Sequence, residues 1–196
     1  IGFPFANHNE SFVIVTQLER MGLGDVLVDR IYPVANYRPL GQAVAWLSYH
    51  SGNGSIASVQ LFNYVVAAVA WLVVFAAMRE RRVFGITAML AGGVFFSGYI
   101  YLFHLHGVFY SPFLLFMAML FLLETRVVSR AVLLLVSLTG LIAAFFHPYA
   151  LPVYIAAMAG FLVERPAEFR PHRIIVAAGL AVAVGLLVFM VILPRH

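Results

Sequence analysis

Long apolar runs separated by short polar gaps follow an opening segment of different texture. The first run, 55–78 (SIASVQLFNYVVAAVAWLVVFAAM), has 24 residues, more than the ~20 needed to cross a bilayer core. Arg79, Glu80, Arg81 and Arg82 stop it. The second run, 83–103, contains Gly92, Gly93, Ser97 and Gly98, small residues that let helices pack closely. Shorter runs follow at 108–123, 131–146 and 149–163, and the last covers 174–193. The three short runs are marginal for a straight crossing. The Ser111-Pro112 and His147-Pro148 steps can lengthen them, because proline is accepted in the first helical turn. The pattern predicts an all-α fold, a polytopic transmembrane helical bundle of six passes over 55–196.

The gaps fix an orientation. Arg79, Arg81 and Arg82, then Arg126 and Arg130, then Arg165, Arg170 and Arg173 fall in alternate gaps. The intervening turns carry histidine, tyrosine and proline. This is the positive-inside distribution. It places the arginine gaps in the cytoplasm and residues 1–54 outside it, in a protein of the bacterial inner membrane.

Residues 1–54 form an extracytoplasmic loop with short amphipathic helices. SFVIVTQLER (11–20) can form one helix, ended by Met21-Gly22-Leu23-Gly24, and a second element covers Asp25 to Tyr32. Pro39 then opens a further helix. Ala43, Leu47 and His50 share one face of it, as do Leu40, Val44 and Leu47. Such a helix lies at the membrane interface, where Trp46 and Tyr49 suit the aromatic belt. Ser51-Gly52-Asn53-Gly54 marks the break before the first run.

Composition strengthens the membrane reading. Hydrophobic residues make up 63% of the chain and charged residues 10%, an excess that 196 residues cannot hide in a soluble core. All twelve cations are arginine, and eight of them sit in the arginine gaps. The charge therefore reads as topology, with anionic membrane lipid as neighbour and no nucleic acid as partner. Disulfide and thiolate chemistry are excluded by the lack of cysteine. The chain opens at Ile1 with no signal-like segment, so the reading expects a preceding span that carries 1–54 across the membrane.

Candidate chemistry gathers on the outer side: Asn7, His8, Asn9 and Glu10, then Asp25, Asp29 and Arg38, then His50, His104, His106 and His147. A carboxylate can bind a divalent cation, the one cofactor suggested here, or take a proton from an acceptor hydroxyl. Arginine grips phosphate through paired hydrogen bonds. Acid and arginine beside an apolar groove suit a lipid-phosphate substrate. Taken singly, Glu10 also reads as a solvated acid, Asp25 and Asp29 as helix decoration, and Arg38 as a headgroup anchor. His104, His106 and His147 fit either a three-nitrogen metal site or interface residues. Tyr99, Tyr101, Tyr110, Tyr149 and Tyr154 fit headgroup anchoring or sugar stacking.

The order Asn7-His8-Asn9-Glu10, Tyr37-Arg38-Pro39-Leu40, Tyr49-His50-Ser51-Gly52 and Asn63 resembles the GT-C superfamily of membrane glycosyltransferases. The likeness is to the branch that includes protein O-mannosyltransferases, and Phe145-Phe146-His147-Pro148 fits a later helix-turn of such proteins. The resemblance covers roughly residues 7–165. It implies a first outer loop between two spans, and transfer of a sugar from a polyprenyl-phosphate donor to an extracytoplasmic acceptor. Glu10 matches the family's essential acid and is the expected catalytic residue. Arg38, His50, His104 and His147 are the expected substrate-binding residues. Asn9 departs from the paired acids of many relatives, and it can neither accept a proton nor ligate a metal as well as an acid. That departure motivates a second expectation, a non-catalytic GT-C-like structural subunit of a larger membrane complex with other membrane subunits as partners. A transporter ranks third, because the spans lack a charged midplane site.

Overall fold

The computed structural model describes residues 16, 18–28, 38–80, 107–125 and 128–192. Among them the fold is all helical, without a strand. Helix α1 is Leu23–Val28, α2 is Pro39–Ser51 and α3 is Ile56–Glu80. Helix α4 is Gly107–Thr125, α5 is Arg130–Phe146 and α6 is Ala150–Glu164. A short α7, Pro166–Phe169, and a tight turn, Arg170–His172, lead into α8, Arg173–Leu187. Wider helical turns continue α8 over Val188–Ile192.

Two helical stretches, Ile56–Arg79 and Pro166–Met190, are long and apolar enough to cross a membrane. Three apolar helices, Tyr110–Thr125, Arg130–Phe146 and Ala150–Glu164, are shorter. The expected second run, 83–103, lies outside the described residues. Pro112 falls inside α4 and the helix runs through it, as the lengthening argument requires. The same expectation fails at His147-Pro148. His147 ends α5 with φ −149° and ψ 110°, and a new helix starts at Ala150. Proline crowds the residue before it out of the helical region, so the chain turns there.

Phe116, Leu123, Leu133, Val136, Leu151, Tyr154 and Met158 form the shared core of α4, α5 and α6. Gly140 permits that contact, since a Cβ there would lie 2.8 Å from Phe116 Cε2 and 3.0 Å from Tyr154 Cδ2. Gly179 does the same for α8, where a Cβ would collide with the Tyr154 hydroxyl. That hydroxyl shares a 2.8 Å hydrogen bond with Ser137 Oγ, tying α5 to α6. The outward faces are apolar as well: Leu61, Leu72, Leu134, Leu138 and Val182 are all exposed. A water-facing surface rarely carries so much exposed apolar side chain.

The two ends of the bundle differ. Arg79 in the last turn of α3, Arg130 at the start of α5, and Arg165, Arg170 and Arg173 between α6 and α8 mark one end. Arg165 there donates from Nη1 to the carbonyls of Leu123 and Glu124, at 3.1 and 3.4 Å. These are orphan acceptors at the end of α4, so the guanidinium caps that helix. Its Nε donates to Glu168 Oε1 at 2.8 Å, and Nη2 pairs with Oε2. The bond from Arg165 holds the Glu168 carboxyl below its usual range. Arg165 thus links two arginine gaps structurally, a role the topology argument did not foresee.

Helix α2 lies across the opposite end, against α3, α4 and α5. Its inner face is Pro39, Gly41, Gln42, Ala45 and Tyr49. Leu40 and Leu47 point outward and are exposed, with Ala43 and Val44 half-buried between them. The apolar stripe expected at the interface is therefore the free face. The preceding segment clamps the helix. Trp46 Nε1 donates to the Met21 carbonyl and the Tyr49 hydroxyl donates to Glu19, each at 2.8 Å. Leu18 is fully buried against Ala45, Tyr49 and Val59. The break expected at 21–24 is shorter than drawn: α1 begins at Leu23, and Asp25 accepts the Gly22 amide at 3.1 Å. Asn53 and Gly54 turn the chain into α3 with φ 53° and 77°.

Candidate functional site

The turn after α5 and the start of α2 meet at the arginine-poor end. Arg38 stands at the N-terminal boundary of α2 and, preceding Pro39, lies outside the helical region with φ −132° and ψ 61°. Its guanidinium carbon sits 6.0 Å from the centre of the Tyr110 ring, within cation–π range. The Tyr110 ring centre is 4.7 Å from that of His147. The Tyr149 ring centre lies 4.8 Å from the same imidazole, and that of Phe113 lies 6.0 Å away. One end of the bundle thus brings together a cation, an imidazole and three aromatic rings.

The imidazole is buried, with 3% of its surface exposed. Its Nδ1 has no hydrogen-bond partner. Burial, and then the positive field of Arg38, lower the His147 pKa to about 4. Both effects penalise the imidazolium. At neutral pH the group is a neutral heterocycle beside a permanent cation.

A second polar feature adjoins this cluster. Asn63 and Ser111 are fully buried, and the Ser111 hydroxyl donates to Asn63 Oδ1 at 3.3 Å. The bond fixes α3 against α4 one residue from Tyr110. Phe62 stacks on Phe146, 6.3 Å between centres, beside His147.

The expected site residues are placed unevenly. Arg38 and His147 come together. His50 stands apart at the far end of α2, roughly 18 Å along the helix at 1.5 Å per residue. It is exposed, stacks on Trp46 at 4.0 Å, and donates from Nδ1 to the Trp46 carbonyl at 2.9 Å. Glu10 and His104 lie outside the described residues, as does His106 of the imagined metal trio. Among the described residues, no group of three His, Asp or Glu side chains converges as metal ligands would. The sequence pointed to Tyr110 and Tyr149 only as two tyrosines near outer turns. Phe113 and the Asn63–Ser111 pairing were missed as parts of the site. For Phe113 and Ser111 the sequence signal is a cluster of aromatic and hydroxyl residues just after a turn, whereas Asn63 was singled out only for its place at the start of a span.

No family model, curated protein or solved structure matches this chain.

Proposed function

We propose that this chain forms a six-pass membrane bundle that transfers a sugar from a polyprenyl-phosphate donor to an extracytoplasmic acceptor. The observation that carries this reading is the Arg38–Tyr110–His147 cluster at the arginine-poor end, roofed by α2. A guanidinium suits phosphate. The exposed Leu40 and Leu47 stripe on α2 suits the edge of a lipid tail. The opposite, arginine-rich end suits the cytoplasmic leaflet.

In this mechanism Glu10 removes the proton from the acceptor hydroxyl. The acceptor oxygen forms a bond to the anomeric carbon while the bond from that carbon to the phosphate oxygen breaks. The electron pair leaves with polyprenyl phosphate, whose added negative charge Arg38 stabilises. The proton remains on Glu10 until solvent takes it.

The test is transfer of labelled sugar by the full-length protein in nanodiscs, with donor affinity measured separately. Arg38→Ala should weaken donor binding by about 10- to 100-fold, the loss expected of a charge-assisted contact. Intact wild type that neither binds nor uses any polyprenyl-phosphate sugar would favour the structural-subunit reading instead.

A further inference from the structure

Buried polar atoms in folded proteins nearly always have partners, and an exception calls for a cause. His147 Nδ1 is such an exception: the residue is 3% exposed and the nitrogen makes no hydrogen bond. Its ring is nevertheless flanked by two side chains that reach solvent, Tyr110 at 43% and Tyr149 at 62% exposure. The imidazole that carries the orphaned nitrogen therefore packs against two partly exposed tyrosine rings, with Arg38 near enough to act on its charge.

We propose that His147 is the residue that reads a sugar hydroxyl of the donor, with the sugar ring against Tyr149 and the donor phosphate at Arg38. This inference rests on the transferase reading above and names the part of the substrate that one buried nitrogen recognises. The chemistry favours a hydroxyl over a phosphate oxygen at this position. A neutral imidazole presents Nδ1 either as N–H donor or as bare acceptor, depending on tautomer. A phosphate oxygen satisfies only the donor form, whereas a hydroxyl donates and accepts and satisfies both. Arg38 next door already supplies the group that phosphate prefers. The neutral state also matters, because an imidazolium here would compete with Arg38 for the anion.

Access to the imidazole would come through its solvent-reaching neighbour Tyr149. Tyr149 opens the turn before α6, and its side chain makes no hydrogen bond among the described residues. Rotation of an exposed side chain takes picoseconds to nanoseconds. A sugar that displaces that ring from the imidazole would find in it a flat apolar face to lie on.

The experiment compares binding of decaprenyl phosphate with decaprenyl-phosphate-linked mannose, glucose and galactose, to full-length protein in nanodiscs. Wild type should bind one sugar-bearing lipid more tightly than bare decaprenyl phosphate. His147→Leu, close to histidine in volume, should lose that preference by about 10- to 100-fold, the cost of an unmet hydroxyl. It should leave bare decaprenyl phosphate unaffected and keep or raise the melting temperature, since a buried unpaired polar atom is gone. His147→Asn places an amide near the Nδ1 position and should retain most of the preference. Equal loss for both lipids, or no loss for either, in His147→Leu would overturn the proposal. So would a wild type that binds bare and sugar-bearing lipids alike. Should His147→Leu fail to fold, Tyr149→Ala decides: loss confined to the sugar-bearing lipid supports the assignment, and unchanged binding refutes it. Failure of wild type to bind even decaprenyl phosphate refutes the transferase reading itself, and this assignment with it.

Discussion

Turnover should fall by ~100- to 10,000-fold when Glu10 is replaced by glutamine, the usual contribution of a general base. Glutamine keeps the shape of the side chain and can still hydrogen-bond. It cannot take the acceptor proton. Under the proposed mechanism the donor phosphate is held by Arg38 and its lipid by apolar surface, so donor affinity should change little. The two variants therefore separate cleanly: Glu10→Gln lowers turnover with donor binding kept, and Arg38→Ala weakens donor binding. The readout is single-turnover transfer of labelled sugar at saturating donor. Unchanged turnover in Glu10→Gln would remove Glu10 from the mechanism. Asn9, next to Glu10, makes this the sharper of the two tests. With no second acid beside it, nothing at position 9 could substitute as base.

The second large effect is on stability, and it is set by His147. Its pKa is about 4 in the folded protein against 6.5 for a free imidazole. The unfolded chain therefore binds a proton between these values and the folded protein does not. Stability rises with pH wherever the unfolded state holds more protons. Acidification should thus cost stability from about pH 6.5 downward, and this loss should level off near pH 4. At ~1.36 kcal/mol per unit the full effect is about 3 kcal/mol. Glu168 acts in a different window. Arg165 depresses its carboxyl below 4.5, so its contribution is lost only at more acidic pH. Thermal melts from pH 7 to pH 4 should show a falling midpoint in wild type and a flatter one in His147→Leu. An identical slope in both would mean that His147 is not the group that titrates.

What the sequence made legible was periodic or statistical along the chain. Arginine in alternate gaps marked helix ends, and Arg165 links two of those gaps through the carbonyls of Leu123 and Glu124. The stripe Leu40, Val44, Leu47 was readable because helical spacing puts these residues on one face whatever surrounds them. Helix limits followed hydropathy to within a few residues. The exception at His147-Pro148 was decided by a steric clash that a hydropathy reading ignores.

The site was legible only in its parts. Arg38 and His147 were each singled out by residue type, and both were assigned to the outer side. Their meeting depends on how α2 lies across α4 and α5, which no spacing along the chain encodes. The same holds for Asn63 and Ser111, 48 residues apart and joined by one buried hydrogen bond. His50 illustrates the converse error. It shares a helix with Arg38, yet the length of that helix sets the two at opposite ends. The unmet Nδ1 of His147 could not have been read from sequence at all, because it is a property of the packed environment and not of the residue.

The central claim is that lipid phosphate binds at the Arg38–His147 end and not at the arginine-rich end. Photo-crosslinking tests it most directly. A decaprenyl phosphate bearing a diazirine next to the phosphate would be activated in nanodiscs with full-length protein, and the labelled peptides located by mass spectrometry. The account predicts label near Arg38, Tyr110 and Tyr149, reduced by Arg38→Ala and displaced by unlabelled decaprenyl phosphate. Label confined to the segment around Arg165, Arg170 and Arg173, and insensitive to Arg38→Ala, would contradict it.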